Sequence, residues 1–187
     1  MARIGIRATL GTAAAAAAAT ASAVGAATAP PAGALATCAT RSAAAFPDAF
    51  TSRHNLVLGP LVLIGAGGIP AYSASFGGQK LPLLVSAGHR VTMALPVQAR
   101  KGAGLAYGPL PQGEVGVRDA HRIVTFVACP HGSDSGSTAS GRPVTFWSGG
   151  LLARSPRCVP LLVWIDAARA PLRVVVHLGV GRCTAAG

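Results

Sequence analysis

Beyond residue 55 the chain alternates between short apolar runs and Gly/Pro/Ser punctuation. The runs are LVLGPLVLIGAG (56–67), KLPLLVSAG (80–88), RVTMALPV (90–97), LAYG (105–108), HRIVTFVAC (121–129), PVTFWSGGLL (143–152), VPLLVWID (159–166) and LRVVVHLGV (172–180). They are rich in β-branched and aromatic residues, which suit a pleated, half-buried surface. Prolines 60, 82 and 160 sit near their starts or on presumed edges, where a missing N–H does little harm. No segment keeps a 3.6-residue apolar period for three turns, so no long amphipathic helix is expected. The pattern predicts an all-β fold: one immunoglobulin-like antiparallel β-sandwich of about seven or eight strands. Gly88-His89 reads as a hinge between two strands, Gly149-Gly150 as a bulge, and the Gly/Ser-rich 130–142 segment as a flexible loop.

The first 36 residues follow a different pattern. Arg3 and Arg7 precede an alanine-rich stretch, and Ala34-Leu35-Ala36 offers small residues at a cleavage position. This is the layout of a secretory signal peptide over 1–36, cut after Ala36. A cut near Ala29 would place Pro30 first in the mature chain, which is unfavourable. A retained span is the rival reading, but no apolar run reaches bilayer length. LATC (35–38) resembles a lipobox ending in Cys38, with Thr37 where Gly or Ala belongs. Residues 37–55 read as an irregular N-terminal arm and 56–187 as the β-sandwich domain.

An exported chain sees an oxidising compartment, which gives meaning to its four cysteines, Cys38, Cys129, Cys158 and Cys183. None forms CxxC, and no Cys/His grouping has zinc-finger spacing. Two disulfides are therefore expected, with three possible pairings. If 158–166 and 172–179 form an antiparallel hairpin in which opposed residue numbers sum to about 341, Cys158 faces Cys183. That leaves Cys38 to pair with Cys129 and pin the arm. Trp164 beside this cystine is expected to pack on it, as tryptophans do in immunoglobulin-type domains.

Several phrases carry a likeness: Gly59-Pro60-Leu61, Gly88 with Val91-Thr92, Phe126 to Cys129, Phe146-Trp147-Ser148-Gly149-Gly150, Cys158-Val159-Pro160-Leu161, and Gly179 to Cys183. Over about 56–183 the chain resembles a family of uncharacterised secreted β-sandwich proteins from high-GC bacteria. The resemblance implies strands, turns and disulfides. It implies no activity.

Charge adds one more feature. Sixteen Lys and Arg stand against five Asp and Glu, a formal net charge of +11. Without Arg3 and Arg7 the balance is +9. Such an excess favours anionic partners, yet the basic residues are scattered singly and only Arg100-Lys101 are adjacent. No basic run or aromatic-interleaved groove signals specific nucleic-acid binding. Arg90, Arg100, Lys101, Arg118 and Arg122 are the expected anion contacts, toward an anionic envelope polymer or lipid headgroups.

Catalytic patterns are weak. Ser133-Asp134-Ser135-Gly136 and His89 echo a trypsin-like protease, with Asp119 a third member only by elimination. Ser133 and Ser137 stand where that motif needs glycines, and His89 and Ser135 are too close in sequence for a two-barrel protease. His54, His89, His121, His131 and His177 form no metal-binding spacing. The carboxylates Asp48, Glu114, Asp119, Asp134 and Asp166 are too dispersed for a paired acid–base site. Phe126, Phe146, Trp147 and Trp164 read as core residues. No cofactor, metal or catalytic residue is expected. The sequence predicts a secreted or envelope-associated, non-enzymatic domain. A module that pairs with another envelope protein is the alternative, and a small serine hydrolase using Ser135 with His89 or His121 a more remote one.

Overall fold

The structure, a computed structural model, describes residues 29–112 and 115–183. Of the expected signal peptide, residues 1–28 lie outside the described residues. Fourteen strands run in chain order: β1 Ala34–Thr37, β2 Ala44–Phe46, β3 Leu56–Leu58, β4 Leu61–Leu63, β5 Gly78–Lys80, β6 Leu83–Ser86, β7 Arg90–Ala94, β8 Ala103–Ala106, β9 Ile123–Val127, β10 Ser137–Ala139, β11 Arg142–Trp147, β12 Gly150–Ala153, β13 Arg157–Ile165 and β14 Leu172–Leu178. They form a five-stranded sheet (β1-β9-β7-β13-β14), a six-stranded sheet (β2-β10-β11-β6-β4-β3) and a three-stranded sheet (β5-β12-β8). The all-β expectation holds. The expected seven or eight antiparallel strands give way to fourteen in three sheets, with β1–β9 and β2–β10 parallel.

The difference arises where single apolar runs split. Run 56–67 folds into the β3–β4 hairpin, with Leu58 opposite Leu61. Its two-residue turn is Gly59-Pro60, and Gly59 takes φ +58, the conformation this tight turn demands of its first central residue. Run 143–152 breaks at Ser148-Gly149, so that β11 and β12 belong to different sheets. The glycine pair serves close packing, not a bulge. A Cβ on Gly149 would overlap the Tyr107 ring and the Ala106 carbonyl, and one on Gly150 the Gln79 carbonyl. Gly88 (φ +78) lies in the corner through which the chain leaves β6 for β7 in another sheet.

One core cluster draws side chains from all three sheets. Alternate residues of the five-stranded sheet enter it: Val124 and Phe126, Val91 and Met93, Val159, Leu161 and Val163, Val176 and Leu178. Leu61, Leu63, Leu83, Val85 and Trp147 meet them from the six-stranded sheet, and Leu105 and Leu151 from the third. The six-stranded sheet is covered on its other face too. There Val62, Leu84, Val144 and Phe146 pack with Phe46, Ala49 and Phe50. The segment read as an irregular arm thus contains β2 and the aromatic cover of a sheet face, with Phe46 edge-on to Phe146 at 5.0 Å. Two-sided burial explains why β4 and most of β6 are apolar without alternation.

Both disulfides are the expected ones, Cys38–Cys129 and Cys158–Cys183. The register argument for the second was wrong. β13 and β14 pair Cys158 with His177, not with Cys183. Cys183 lies beyond the strand end, after Gly179 (φ +66), whose N–H donates to the Pro70 carbonyl. The 179–183 tail brings it back to Cys158. Trp164 is likewise misplaced by the sequence reading. It sits opposite Thr92, six residues along β13 from Cys158, roughly 20 Å at strand rise. It is Trp147 whose indole N–H donates to the Thr37 carbonyl, next to Cys38.

Two stability predictions follow from this packing. Gly149→Ala should destabilise the domain by about 1–3 kcal/mol through overpacking against Tyr107, whereas Gly181→Ala, whose added Cβ meets only Ile69 at 3.9 Å, should be near neutral; denaturant unfolding measures both. Replacing Cys38 and Cys129 by serine opens a cross-link of sequence separation 91 and should cost about 2–5 kcal/mol, read as a lowered unfolding midpoint.

Candidate functional site

Residues from three chain segments meet at one end of the five-stranded sheet. β7 runs from Arg90, opposite Val127, to Ala94, opposite Ile123. Past Ala94 the chain turns through Leu95–Lys101 and enters β8. Arg122 immediately precedes β9 at this same end. β13 is antiparallel to β7, so its first residue, Arg157, also lies there. Arg154 belongs to the turn joining β12 to β13.

The backbone around Gly102 organises these side chains. Arg100 Nε donates to the Leu95 carbonyl (3.0 Å), and Arg122 Nη1 to the Ala103 carbonyl (2.8 Å). The Leu95 N–H donates to the Arg122 carbonyl (2.9 Å), and the Arg154 N–H to that of Gly102 (3.3 Å). The Arg157 guanidinium lies directly on Gly102, in the space a Cβ would fill. Its Nε is buried with no hydrogen-bond partner. The result is a five-cation group, Arg100, Lys101, Arg122, Arg154 and Arg157, in which main-chain carbonyls hold the Arg100 and Arg122 guanidiniums and Gly102 seats that of Arg157. Three carbonyl-anchored or glycine-seated guanidiniums keep several N–H donors in fixed forks, the geometry that matches phosphate or carboxylate oxygens.

No described carboxylate neutralises this group. Among the described residues the one ion pair is His89–Asp166, with His89 Nδ1 2.8 Å from Asp166 Oδ2. Asp119, nearest in sequence to Arg122, uses Oδ2 to accept the Gly116 N–H at 3.0 Å.

The expected anion contacts thus divide. Arg100, Lys101 and Arg122 come together. Arg118 is exposed on the neighbouring 116–120 turn, whose Val117 carbonyl lies beside Gly104. Arg90 belongs to the opposite end of β7 and lies apart from the group. Arg154 and Arg157 were missed. Their signal was ARSPRC (153–158), a basic turn between two apolar runs, which puts its charges at a sheet end.

The protease echo resolves into turn chemistry. Ser135 is buried and its hydroxyl donates to the Ser137 carbonyl (2.9 Å). Asp134 Oδ1 accepts the Gly136 N–H (2.8 Å), an Asx turn. His89 engages Asp166, not Asp119. Asp166 Oδ1 also accepts the Arg90 N–H at 2.9 Å. Partial burial acts to raise the Asp166 carboxyl. The Arg90 N–H, the His89 hydrogen bond and the His89 charge outweigh it, so its pKa lies below the usual carboxylate value. No group of three or more His, Cys, Asp or Glu among the described residues can hold a metal ion.

Apart from this group, a concavity of about 1100 Å³ opens over the three-stranded sheet, lined by Phe76, Lys80, Gly108, Asp119, Gly149 and Leu152 among others. Lys80 stands 5.8 Å over the Phe76 ring. The cleft is open and evenly mixed in character.

Because the Asp166 carboxyl is depressed on folding, its contribution to stability is complete above the ordinary carboxylate range and fades as pH falls through its folded value. Asp166→Asn should therefore flatten the acid limb of the stability–pH curve below about pH 4, checked by urea unfolding across pH 2–7. No family model, curated protein or solved structure matches this chain.

Proposed function

We propose that the domain is a secreted or cell-envelope, non-enzymatic binding module that holds anionic envelope polymer or lipid headgroups through the five-cation group around Gly102. The observation that carries this reading is the gathering of Arg100, Lys101, Arg122, Arg154 and Arg157 at one end, with Arg100 and Arg122 anchored by main-chain carbonyls and the group unmatched by any described carboxylate. Export is supported by the two disulfides. No helix among the described residues is long and apolar enough to cross a membrane. For architecture, the five- and six-stranded sheets enclosing one core form the layers of the proposed immunoglobulin-like sandwich, of the kind the resembled secreted family implies, with the third sheet an elaboration.

A second reading has its own support. β14 is a seven-residue edge strand, rich in valine and open on one side to pairing with a strand of another envelope protein.

Co-sedimentation of the oxidised domain with anionic vesicles and with a phosphate-rich wall polymer, at rising salt, tests the first reading. Changing Arg100, Lys101 and Arg154 to Gln should weaken binding on the order of a hundredfold, at about 1 kcal/mol per charge near an anionic surface. Changing Arg41, Arg90 and Arg142, which belong to the other end, removes equal charge and should change it far less. Gly102→Ala removes no charge but displaces the Arg157 guanidinium, and should weaken binding several-fold. Equal losses for both triple variants, with Gly102→Ala silent, would reduce the effect to net charge. Binding indifferent to salt and to all three would favour the β14 edge.

A further inference from the structure

The leader and the folded domain compete for residues 33–37. On small-residue spacing, Ala34-Leu35-Ala36 is a cleavage site; in the fold the same residues are β1. Its four residues pair with Val124–Val127 of β9. Ala36 is wholly buried in the central core. Gly33 lies so close to Ile123 that a Cβ would overlap its carbonyl and side chain. The Thr37 carbonyl accepts the Trp147 indole N–H at 3.1 Å, and the next residue is the disulfide partner of Cys129.

A cut after Ala36 would strip Gly33–Ala36 from the domain. The outer N–H and C=O groups of β9 would lose their ladder, a hole would open beside Phe126, and a charged amine would appear on Thr37 next to Trp147. A lipobox cut before Cys38 would remove all of β1 and require the free thiol of a cysteine that is cross-linked. Glycine at 33 and alanine at 36 are what the sheet and core demand there; in this fold their smallness serves packing.

We propose that the leader is removed upstream of Gly33, at the Ala23–Val24 bond, so that β1 stays in the mature protein. Ala21-Ser22-Ala23 is a strict Ala-x-Ala site after the alanine-rich stretch. Ala27-Thr28-Ala29 is followed by Pro30, whose ring and missing N–H obstruct the extended fit a peptidase needs. The step is a hydrolysis by an envelope leader peptidase: water adds across the peptide bond, leaving a carboxylate on Ala23 and an amine on Val24. Residues 24–32, VGAATAPPA, then precede β1 in the mature chain. This inference rests on the export reading above.

The test is intact mass, without reduction, and N-terminal sequencing of the full chain expressed in a secreting high-GC bacterial host. The expected product begins at Val24 and carries two disulfides, and Ala23→Phe causes uncut precursor to accumulate. A product beginning at Thr37 or Cys38 would overturn the proposal while leaving export intact. A full-length cytoplasmic chain with four free thiols would overturn both. Independently, chain 37–187 should fail to fold or melt at least about 5 °C below chain 24–187; equal melting would count against β1 as part of the domain.

Discussion

Three aromatic rings from three sheets meet at the centre of the molecule, and the packing of the sheets depends on them. Phe126 comes from β9, Trp147 ends β11, and Tyr107 follows β8. Phe126 lies 5.4 Å from Tyr107 and 5.3 Å from Trp147, centroid to centroid. Each polar ring is also tied to backbone outside its own strand. The Tyr107 hydroxyl donates to the Leu81 carbonyl at 2.7 Å, and the Trp147 indole to that of Thr37. Complete burial pushes the Tyr107 phenol well above its ordinary range, so it remains a neutral donor. Rings of this size need their polar ends satisfied to be buried, and here that need aligns the β5–β6 connection and β1 against the core. Gly149 is the complement of the arrangement, since only a residue without Cβ lets the β11–β12 link pass the Tyr107 face.

The scarcity of acidic residues shapes the rest. With five carboxylates in the whole chain, the fold cannot be held by ion pairs, and its cations repel one another. Apolar packing on both sides of the six-stranded sheet and two covalent cross-links bear the load instead. The cross-links secure the two chain ends, Cys38 at the first strand and Cys183 past the last. At the Gly102 end, guanidiniums are held by carbonyl oxygens, which fix their positions without cancelling their charge. Held in this way, the group keeps a positive charge that no described carboxylate offsets.

Much of this was legible in particular residues. The β-branched runs marked strands because their side chains suit a pleated, half-buried surface. The even cysteine count behind a leader marked disulfides. Arg100 and Lys101 were legible by adjacency, and Arg122 as one of the scattered cations. Arg154 and Arg157 were not, because a turn's two flanks gain meaning only when the strands they join are known to belong to different sheets. The Cys158–Cys183 pairing was reached through a register the hairpin does not have. The cystine is formed by a tail that folds back past Gly179, and strand arithmetic cannot see that.

By itself, the sequence determined what depends on local chemistry: strand-forming segments, the cross-linkable cysteines and the excess of positive charge. Only the tertiary structure decided which sheet each strand joins. It also decided that Gly149 and Gly33 are packing residues, that 44–50 cover a sheet face, and that Ala34–Ala36 belong to the domain. The reason is physical. A strand's apolar pattern specifies that its faces are buried but not by what, and the partner is settled by long-range packing that no local window contains.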